Sequence, residues 1–332
     1  MLSRLSAIFA ISLRQFDTKM KFKSYILSLT LLSAAAVGSA QNKPNTLFEY
    51  PDVPQNLTTL TERSNFYIEN FWKRANLKSA FSSVARLDQA FGDYVDLMPY
   101  ADANIVHKSI NDLITQVAKD PHNLLTLAEI AEGKFYSDSA RIACDECYLP
   151  FAQAVADSKK LSKAEKSRFA YQANILAHTQ VGMIAPNFTY TTPAGETRQL
   201  DDLPKDAYVV LFVNDPDCDE CELARVRLAA DYVINDLQDR GLLKILSIYP
   251  GEISDEWKDR TSVYNKRWEV GAAPDIDEIY DLRHAPVIYY LNGQHKILSK
   301  SLTADQLIEA FRVVSEKMKA NRQNTPAEAP KE

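Results

Sequence analysis

The chain has 332 residues, of which 46% are hydrophobic and 25% are charged, and its formal net charge is −6. This length and composition suit a globular protein of two domains, and an acidic balance without an internal basic block argues against nucleic acid as a partner. Four cysteines are too few for a disulfide framework that replaces a hydrophobic core.

The N-terminus has the pattern of an export signal. A basic start at 20–23 precedes an apolar run at 25–37, and small residues at 38–40 follow it. The apolar run is too short to span the ~30 Å apolar core of a bilayer. We therefore predict a leader over 1–40 that is cleaved near Ala40, a periplasmic location and no stable membrane insertion.

Residues 41–180 are predicted to form a helical domain after an extended lead-in. Asp120 and Pro121 have the pattern of an N-cap followed by proline at the first helical position. Two sets of apolar residues recur at helical spacing and predict buried faces: Leu87, Phe91, Tyr94, Val95 and Met98, then Ile105, Ile110, Leu113, Ile114 and Val117. No β-rich run occurs in this half, so we expect a small all-α domain.

Residues 181–320 alternate between strand and helix patterns, and a polar tail follows at 321–332. The predicted strands are 188–192, 208–213, 242–249, 287–291 and 296–299, and the predicted helices are 218–240, 254–264 and 303–318. Asn292 and Gly293 predict a two-residue hairpin turn. Because the central strands are apolar on both faces, we expect an α/β domain whose central sheet is flanked by helices.

The strongest functional signal lies at the end of the apolar run that begins at Val209. The run leads into a short polar turn that carries Cys218 and Cys221, and helical spacing resumes directly after the turn. The amide donors at a helix N-terminus favour a thiolate over a thiol. In an exported protein, such a cysteine pair is a candidate redox dithiol.

Three motifs in this half, in this order, resemble the thioredoxin fold of exported TlpA-like and ResA-like thiol-disulfide oxidoreductases. They are the opening Gly182-Met-Ile-Ala-Pro-Asn-Phe188, the cysteine pair, and Arg283-His-Ala-Pro286 before a strand. The helical half is similar to an uncharacterised domain that precedes thioredoxin-like domains in exported bacterial proteins.

The resemblance implies protein thiol or disulfide substrates, an upstream redox partner and no bound cofactor. Cys218 would be the nucleophile, because it lies before the helix proper and nearer to solvent, and Cys221 would resolve the mixed disulfide. Pro286 is expected in the cis form, which leaves the backbone of Ala285 free to pair with an extended substrate. His284 is a candidate to stabilise the thiolate or to contact the partner.

The cysteine turn departs from the usual thioredoxin pattern in its charge. Asp217 precedes Cys218 where an aromatic residue is common, and Asp219 and Glu220 lie between the cysteines. Together with Asp215, these carboxylates disfavour a thiolate, so we expect a nucleophile with a raised pKa and a reducing pair. Glu220 is also a candidate to relay a proton to or from the second cysteine.

A buried acid that often precedes the first cysteine in this family is replaced here by Phe212.

The alternative to an enzyme is a non-catalytic interaction or scaffold protein whose cysteine pair is idle or structural. A peroxiredoxin is excluded, because Asp215 stands where those enzymes have Thr or Ser.

A second pair, Cys144 and Cys147, encloses the same two acids in an unrelated sequence context. The spacing of Cys144 to Tyr148, Phe151 and Val155 places it on a core-facing side of a helix, where free cysteines are common. We expect buried thiols or a local disulfide, with a second redox pair as the alternative. The positions of the cysteines and histidines predict no metal site.

Overall fold

The structure is a computed structural model that describes residues 46–323, with side chains described to residue 316. The predicted leader at 1–40 and the tail from 324 lie outside the described residues. The chain divides into two compact units, one ending at Ala177 and the other beginning at His178. Within 46–323, no helix combines the length and the apolar character that crossing a membrane requires.

The first unit is helical, as predicted, and its described residues form no strand. Its core is rich in aromatic side chains, with Phe71, Phe91 and Tyr94 fully buried and the Tyr94 ring in contact with both phenylalanine rings. The Asp120 side chain accepts hydrogen bonds from the first two N–H donors after Pro121, which confirms the predicted cap. The helices are α1 (Leu60–Asn70), α2 (Leu77–Ala80), α3 (Val84–Val95), α4 (Ala103–Val117), α5 (Pro121–Phe135), α6 (Asp145–Ala156) and α7 (Lys163–His178).

The second unit is built on a seven-stranded mixed sheet with the order β2-β1-β5-β4-β3-β6-β7. The parallel pairs are β3 with β4 and β4 with β5, and the other neighbours are antiparallel. The strands are β1 (Thr189–Thr191), β2 (Thr197–Gln199), β3 (Tyr208–Val213), β4 (Leu243–Tyr249), β5 (Glu269–Ala272), β6 (Val287–Leu291) and β7 (Ile297–Lys300). The helices are α8 (Asp219–Ala230), α9 (Tyr232–Asp239), α10 (Asp255–Thr261) and α11 (Ala304–Gln323).

Strand β3 is the centre of this unit, because all six of its residues are buried. Val210 and Phe212 pack into one cluster with α8, α9 and α11, while Leu211 packs into the cluster on the other face. Short 3-10 helices at Leu200–Asp202 and Ile276–Glu278 contribute to that second cluster. Because β3 packs on both faces, the position of its carboxyl end is fixed by the core.

Some local predictions were wrong. The helix expected at 218–240 is two helices, because the Asp231 side chain accepts hydrogen bonds from Val233 N–H and Ile234 N–H and starts a new helix. Strand β5 was not predicted, since it is short and contains Gly271. A Cβ at that position would lie 2.4 Å from the ring of Tyr190, so close packing, rather than strand propensity, selects the residue.

The connection between β6 and β7 is longer than the predicted two-residue turn. His295 N–H donates to the Asn292 carbonyl, and His295 adopts a left-handed backbone with φ of 56°. The Asn292 side chain accepts from the N–H groups of Gln294 and Lys296, which holds the wider loop.

Candidate active site

Cys218 and Cys221 form a disulfide at the first turn of α8, with their Cα atoms 5.2 Å apart. Cys218 is the N-cap residue, and its Sγ accepts a hydrogen bond of 3.1 Å from the N–H of Cys221. Cys218 is half-buried, whereas Cys221 is only 1% exposed. The first sulfur is thus the one that an incoming molecule would reach.

The turn that connects β3 to Cys218 is held by its own acidic residues. The N–H of Asp217 donates to the Asp215 side chain at 2.8 Å, and the N–H of Cys218 donates to the Asp215 carbonyl at 3.1 Å. Asp215 therefore shapes the turn as well as adding charge to it.

Arg260 in α10 changes the electrostatics expected for this turn. Its guanidinium lies 2.6 Å from Asp217 and 2.8 Å from Glu256, and it also donates to the Pro216 carbonyl. The hydrogen bonds to Glu256 and Asp217 raise the pKa of Arg260 further, so it stays charged. One of the acids beside the cysteines is therefore neutralised, which sequence reasoning missed because Arg260 lies 43 residues away and no motif marks it.

A cluster of buried polar side chains lies next to the turn that connects β3 to Cys218. Asn214, 3% exposed, donates to the Phe212 carbonyl at 3.1 Å and to Ser247 Oγ at 2.8 Å. Its Oδ1 accepts from the Tyr264 hydroxyl at 3.3 Å, and burial raises the pKa of Tyr264. Buried polar groups that satisfy one another in this way fix local geometry. Sequence reasoning named none of these residues, although a polar residue directly after a fully apolar strand was a usable signal.

Arg225 extends this cluster along α8. Its guanidinium carbon lies 4.8 Å from the centre of the Tyr264 ring, and its Nη2 is 2.5 Å from Glu222. Arg225 is 9% exposed and lies one helical turn after Cys221, on the same face of the helix. The buried, positively charged Arg225 therefore lies one helical turn beyond the acidic cysteine turn.

The segment that contains Pro286 leads into β6 at the edge of the sheet where the cysteine turn also begins. The Ala285–Pro286 peptide bond is cis. Val213 at the end of β3 is the register partner of Val287 at the start of β6, so the two connecting segments lie at the same edge of the sheet. Ala285 and His284 are exposed there, and Arg283 is fixed by an ion pair with Asp281.

Glu220, predicted as a proton relay, lies exposed in the first turn of α8, next to Asp219. The expected positions of Cys218, Cys221 and Glu220 on one helical turn follow directly from their spacing.

The second pair, Cys144 and Cys147, is also a disulfide, at the first turn of α6, with the same Cα separation of 5.2 Å. Both residues are half-buried and pack against the helical core. A local disulfide was one of the two expected states. Across residues 46–323, no cluster of three or more histidine, cysteine or acidic side chains has a geometry that would hold a metal ion.

Comparison with known proteins gives one family match to the helical part and one structural match to most of the chain. Residues 29–178 match the family described as a domain of unknown function, DUF5106. A thioredoxin-like protein from Bacteroides caccae is 27% identical, with a TM-score of 0.70 over 80% of this chain and 98% of that chain. No curated protein matches the chain significantly.

Two shorter structures each match about two fifths of the chain. The C-terminal domain of an uncharacterized protein from Bacteroides fragilis is 34% identical, with a TM-score of 0.39 over 41% of this chain and 99% of that chain. The thioredoxin domain of a thiol-disulfide oxidoreductase from Bacteroides vulgatus is 22% identical, with a TM-score of 0.35 over 42% of this chain and 97% of that chain. The sheet order and the match to the Bacteroides caccae structure show a thioredoxin-like fold, and residues 29–178 match the DUF5106 family.

Proposed function

We propose that the protein is an exported thiol-disulfide oxidoreductase that reduces protein disulfides through Cys218 and Cys221. The observation that carries the proposal is a disulfide at a helix N-cap whose first cysteine is partly exposed and whose second is buried. This asymmetry separates the two roles that disulfide exchange requires, one for attack on a partner and one for release.

In the reduced protein, the Cys218 thiolate attacks a substrate disulfide. One substrate sulfur leaves as a thiolate and takes up a proton, and the other remains bonded to Cys218 as a mixed disulfide. Cys221 then loses its proton and attacks the Cys218 sulfur, which releases the second substrate thiolate and forms the Cys218–Cys221 disulfide. Glu220, next in the chain, is our candidate for the group that accepts that proton.

The segment at Pro286 is proposed to hold the substrate during this exchange. Ala285 is exposed at the sheet edge beside the cysteine turn, so its backbone groups are available to an extended peptide. His284, also exposed in this segment, is proposed to contact the same partner. An upstream protein dithiol would return the pair to its reduced state, and no bound cofactor takes part.

The direction of exchange is proposed to be reductive. The acids Asp215, Asp219 and Glu220 disfavour a thiolate at Cys218, and this favours the disulfide state of the enzyme after it has delivered its electrons. Arg260 weakens this effect, because it compensates the charge of Asp217. We therefore propose that the Cys218–Cys221 pair is reducing. Its potential is less negative than it would be if Arg260 did not compensate the charge of Asp217.

Reduction of insulin disulfides by the full chain, with dithiothreitol as electron donor, tests the proposal. We expect turnover well above the dithiothreitol background, and no turnover after Cys218→Ser together with Cys221→Ser. If the parent shows no turnover above the dithiothreitol background, the protein is a non-catalytic thioredoxin-like scaffold instead, and equal turnover in parent and double variant would show that Cys218 and Cys221 are not the reacting pair.

A further inference from the structure

We infer that Cys144–Cys147 is a second redox-active disulfide, which protein dithiols reduce without any involvement of Cys218 or Cys221. The inference goes beyond the proposed function and does not rest on it. Three observations support it. The disulfide adds little as a cross-link, other contacts hold the start of α6, and the first sulfur lies at the helix N-cap.

The disulfide contributes little as a structural cross-link. It joins two residues of one helical turn, which is already closed by backbone bonds from Cys147 N–H and Tyr148 N–H to the Cys144 carbonyl, at 3.1 and 3.0 Å. A cross-link restricts the unfolded chain less when the loop that it closes is shorter. Since this loop is about as short as a disulfide allows, the bond adds little to a turn that is already formed.

The start of α6 is also anchored without the disulfide. The Cys144 N–H donates to the carbonyl of Phe135 at 3.1 Å. Tyr148 is fully buried, its ring is stacked on Tyr136 at 4.7 Å between centroids, and its hydroxyl donates to Gln172 at 2.5 Å. We therefore expect that the S–S bond can open while the helix stays in place.

The local chemistry favours exchange at the first sulfur. Cys144 is half-buried at the N-cap of α6, and its Sγ accepts a hydrogen bond of 3.2 Å from the N–H of Cys147. The amide donors of a helix N-terminus stabilise a thiolate at that position, whereas the neighbouring acids Asp145 and Glu146 disfavour it. Pro150 lies inside the helix and has no N–H, so it supplies no helical donor to the Glu146 carbonyl between the cysteines. The Glu146 carbonyl therefore lacks the usual helical donor, while the bonds to the Cys144 carbonyl keep the turn closed.

The proposed step is a two-electron transfer from a protein dithiol. One partner thiolate attacks Cys144 Sγ, the Cys144–Cys147 bond breaks, and Cys147 leaves as a thiolate that takes up a proton. The second partner thiolate then attacks the partner sulfur of the mixed disulfide and expels the Cys144 thiolate, which is protonated in turn. The partner becomes a disulfide, and the pair becomes a dithiol.

The full chain with Cys218→Ser and Cys221→Ser isolates the second pair for a test. We expect dithiothreitol to free both remaining thiols for maleimide labelling without denaturant, and oxidised glutathione to close them again, with the helical circular dichroism signal unchanged. A disulfide that is reduced only in denaturant, or a loss of helical signal on reduction, would show a structural bond and overturn the inference. Because the first pair is absent, failure here says nothing about the proposed function.

Two further variants in that background identify the attacked sulfur. With Cys147→Ser, the remaining Cys144 should react with a small aromatic disulfide reagent several-fold faster than Cys147 does in the matched Cys144→Ser variant. Equal or reversed rates would contradict the role given to Cys144. Thermal melting of both variants shows whether each is folded during the measurement.

Discussion

The same four residues, Cys-Asp-Glu-Cys, begin one helix in each unit of this chain, and their local geometry is nearly identical. Both pairs are disulfides with a Cα separation of 5.2 Å, and in both the first sulfur accepts a hydrogen bond from the N–H of the second cysteine. The N-cap and the bond thus recur at both quartets, although the residues that precede them differ.

The surroundings of the two quartets differ. Cys218 follows a fully buried strand and lies at the same sheet edge as the segment that contains Pro286, whereas Cys144 follows a loop after α5. Cys221 is 1% exposed, while Cys147 is half-buried. The difference teaches that the scaffold, and not the motif, buries the second cysteine and places beside the first one the segment that we propose to bind an extended peptide.

Removal of the second cysteine of each pair should give the largest contrast. With Cys221→Ser, we expect insulin reduction to fall to background and a mixed disulfide between insulin and Cys218 to accumulate, because no thiol resolves it. The matched Cys147→Ser variant should keep most of the parent rate, since its site lies outside the sheet edge that would hold an extended peptide. Non-reducing electrophoresis and mass spectrometry measure both. If the two variants lose activity equally, the assignment of separate roles is wrong.

The buried support of the C-terminal turn should be visible in stability. Asn214→Ala removes three hydrogen bonds and leaves Ser247 and Tyr264 with unmatched buried groups, so we expect a loss of about 1–3 kcal/mol in the free energy of unfolding. The control is Gln153→Ala in α6, whose side chain is exposed and bonds only Asp157, with an expected change within about 0.5 kcal/mol. Urea unfolding measures both, and equal effects would mean that Asn214 does not anchor the turn.

The burial difference between the second cysteines should appear in their alkylation. After reduction of the folded parent, we expect Cys147 to react with iodoacetamide several-fold faster than Cys221, because Cys221 is shielded from solvent. Peptide mass spectrometry at short reaction times gives both rates in one sample. Comparable rates would show that the protection of Cys221 is lost in the reduced protein.

The smallest effect concerns the charge beside Cys218. Arg260→Ala leaves Asp217 uncompensated, which disfavours the Cys218 thiolate, so the potential of this pair should become more negative. Since the ion pair is solvent-exposed, we expect a shift of about 5–20 mV. Arg267→Ala is the control, because that arginine pairs with Asp239, far along the chain from the cysteines. A shift of the same size in both variants would show that Arg260 has no specific effect on the potential of the Cys218–Cys221 pair.

Local features of the site were predictable from the sequence, and those that depend on distant parts of the chain were not. Strand β3 and the cap at Cys218 follow from periodicity and spacing within a short window, and the motif around Pro286 was recognised by its resemblance to a known family. Arg260 reaches Asp217 only after α10 has packed, and Tyr264 reaches Asn214 from 50 residues away. No pattern within one segment reports such contacts.

The fold shows the same limit. Helices α3 and α4 and the central strands carry strong apolar patterns, and most of the predicted apolar residues fall on these elements. Strand β5 was missed, since Gly271 is dictated by the ring of Tyr190 on another strand. The helix break at Asp231 was missed because a capping aspartate looks like any polar helix residue until its hydrogen bonds are known.

The midpoint potential of Cys218–Cys221 in the full chain, with Cys144→Ser and Cys147→Ser, tests the central claim most directly. Glutathione or dithiothreitol buffers at fixed ratios, followed by thiol labelling without denaturant, give this potential. We predict a reversible two-electron transition between about −200 and −300 mV, closer to thioredoxin than to the strongest oxidants. A pair that stays oxidised until the protein unfolds would contradict the claim that this turn is a site of disulfide exchange, and a value near −120 mV would contradict its reductive direction.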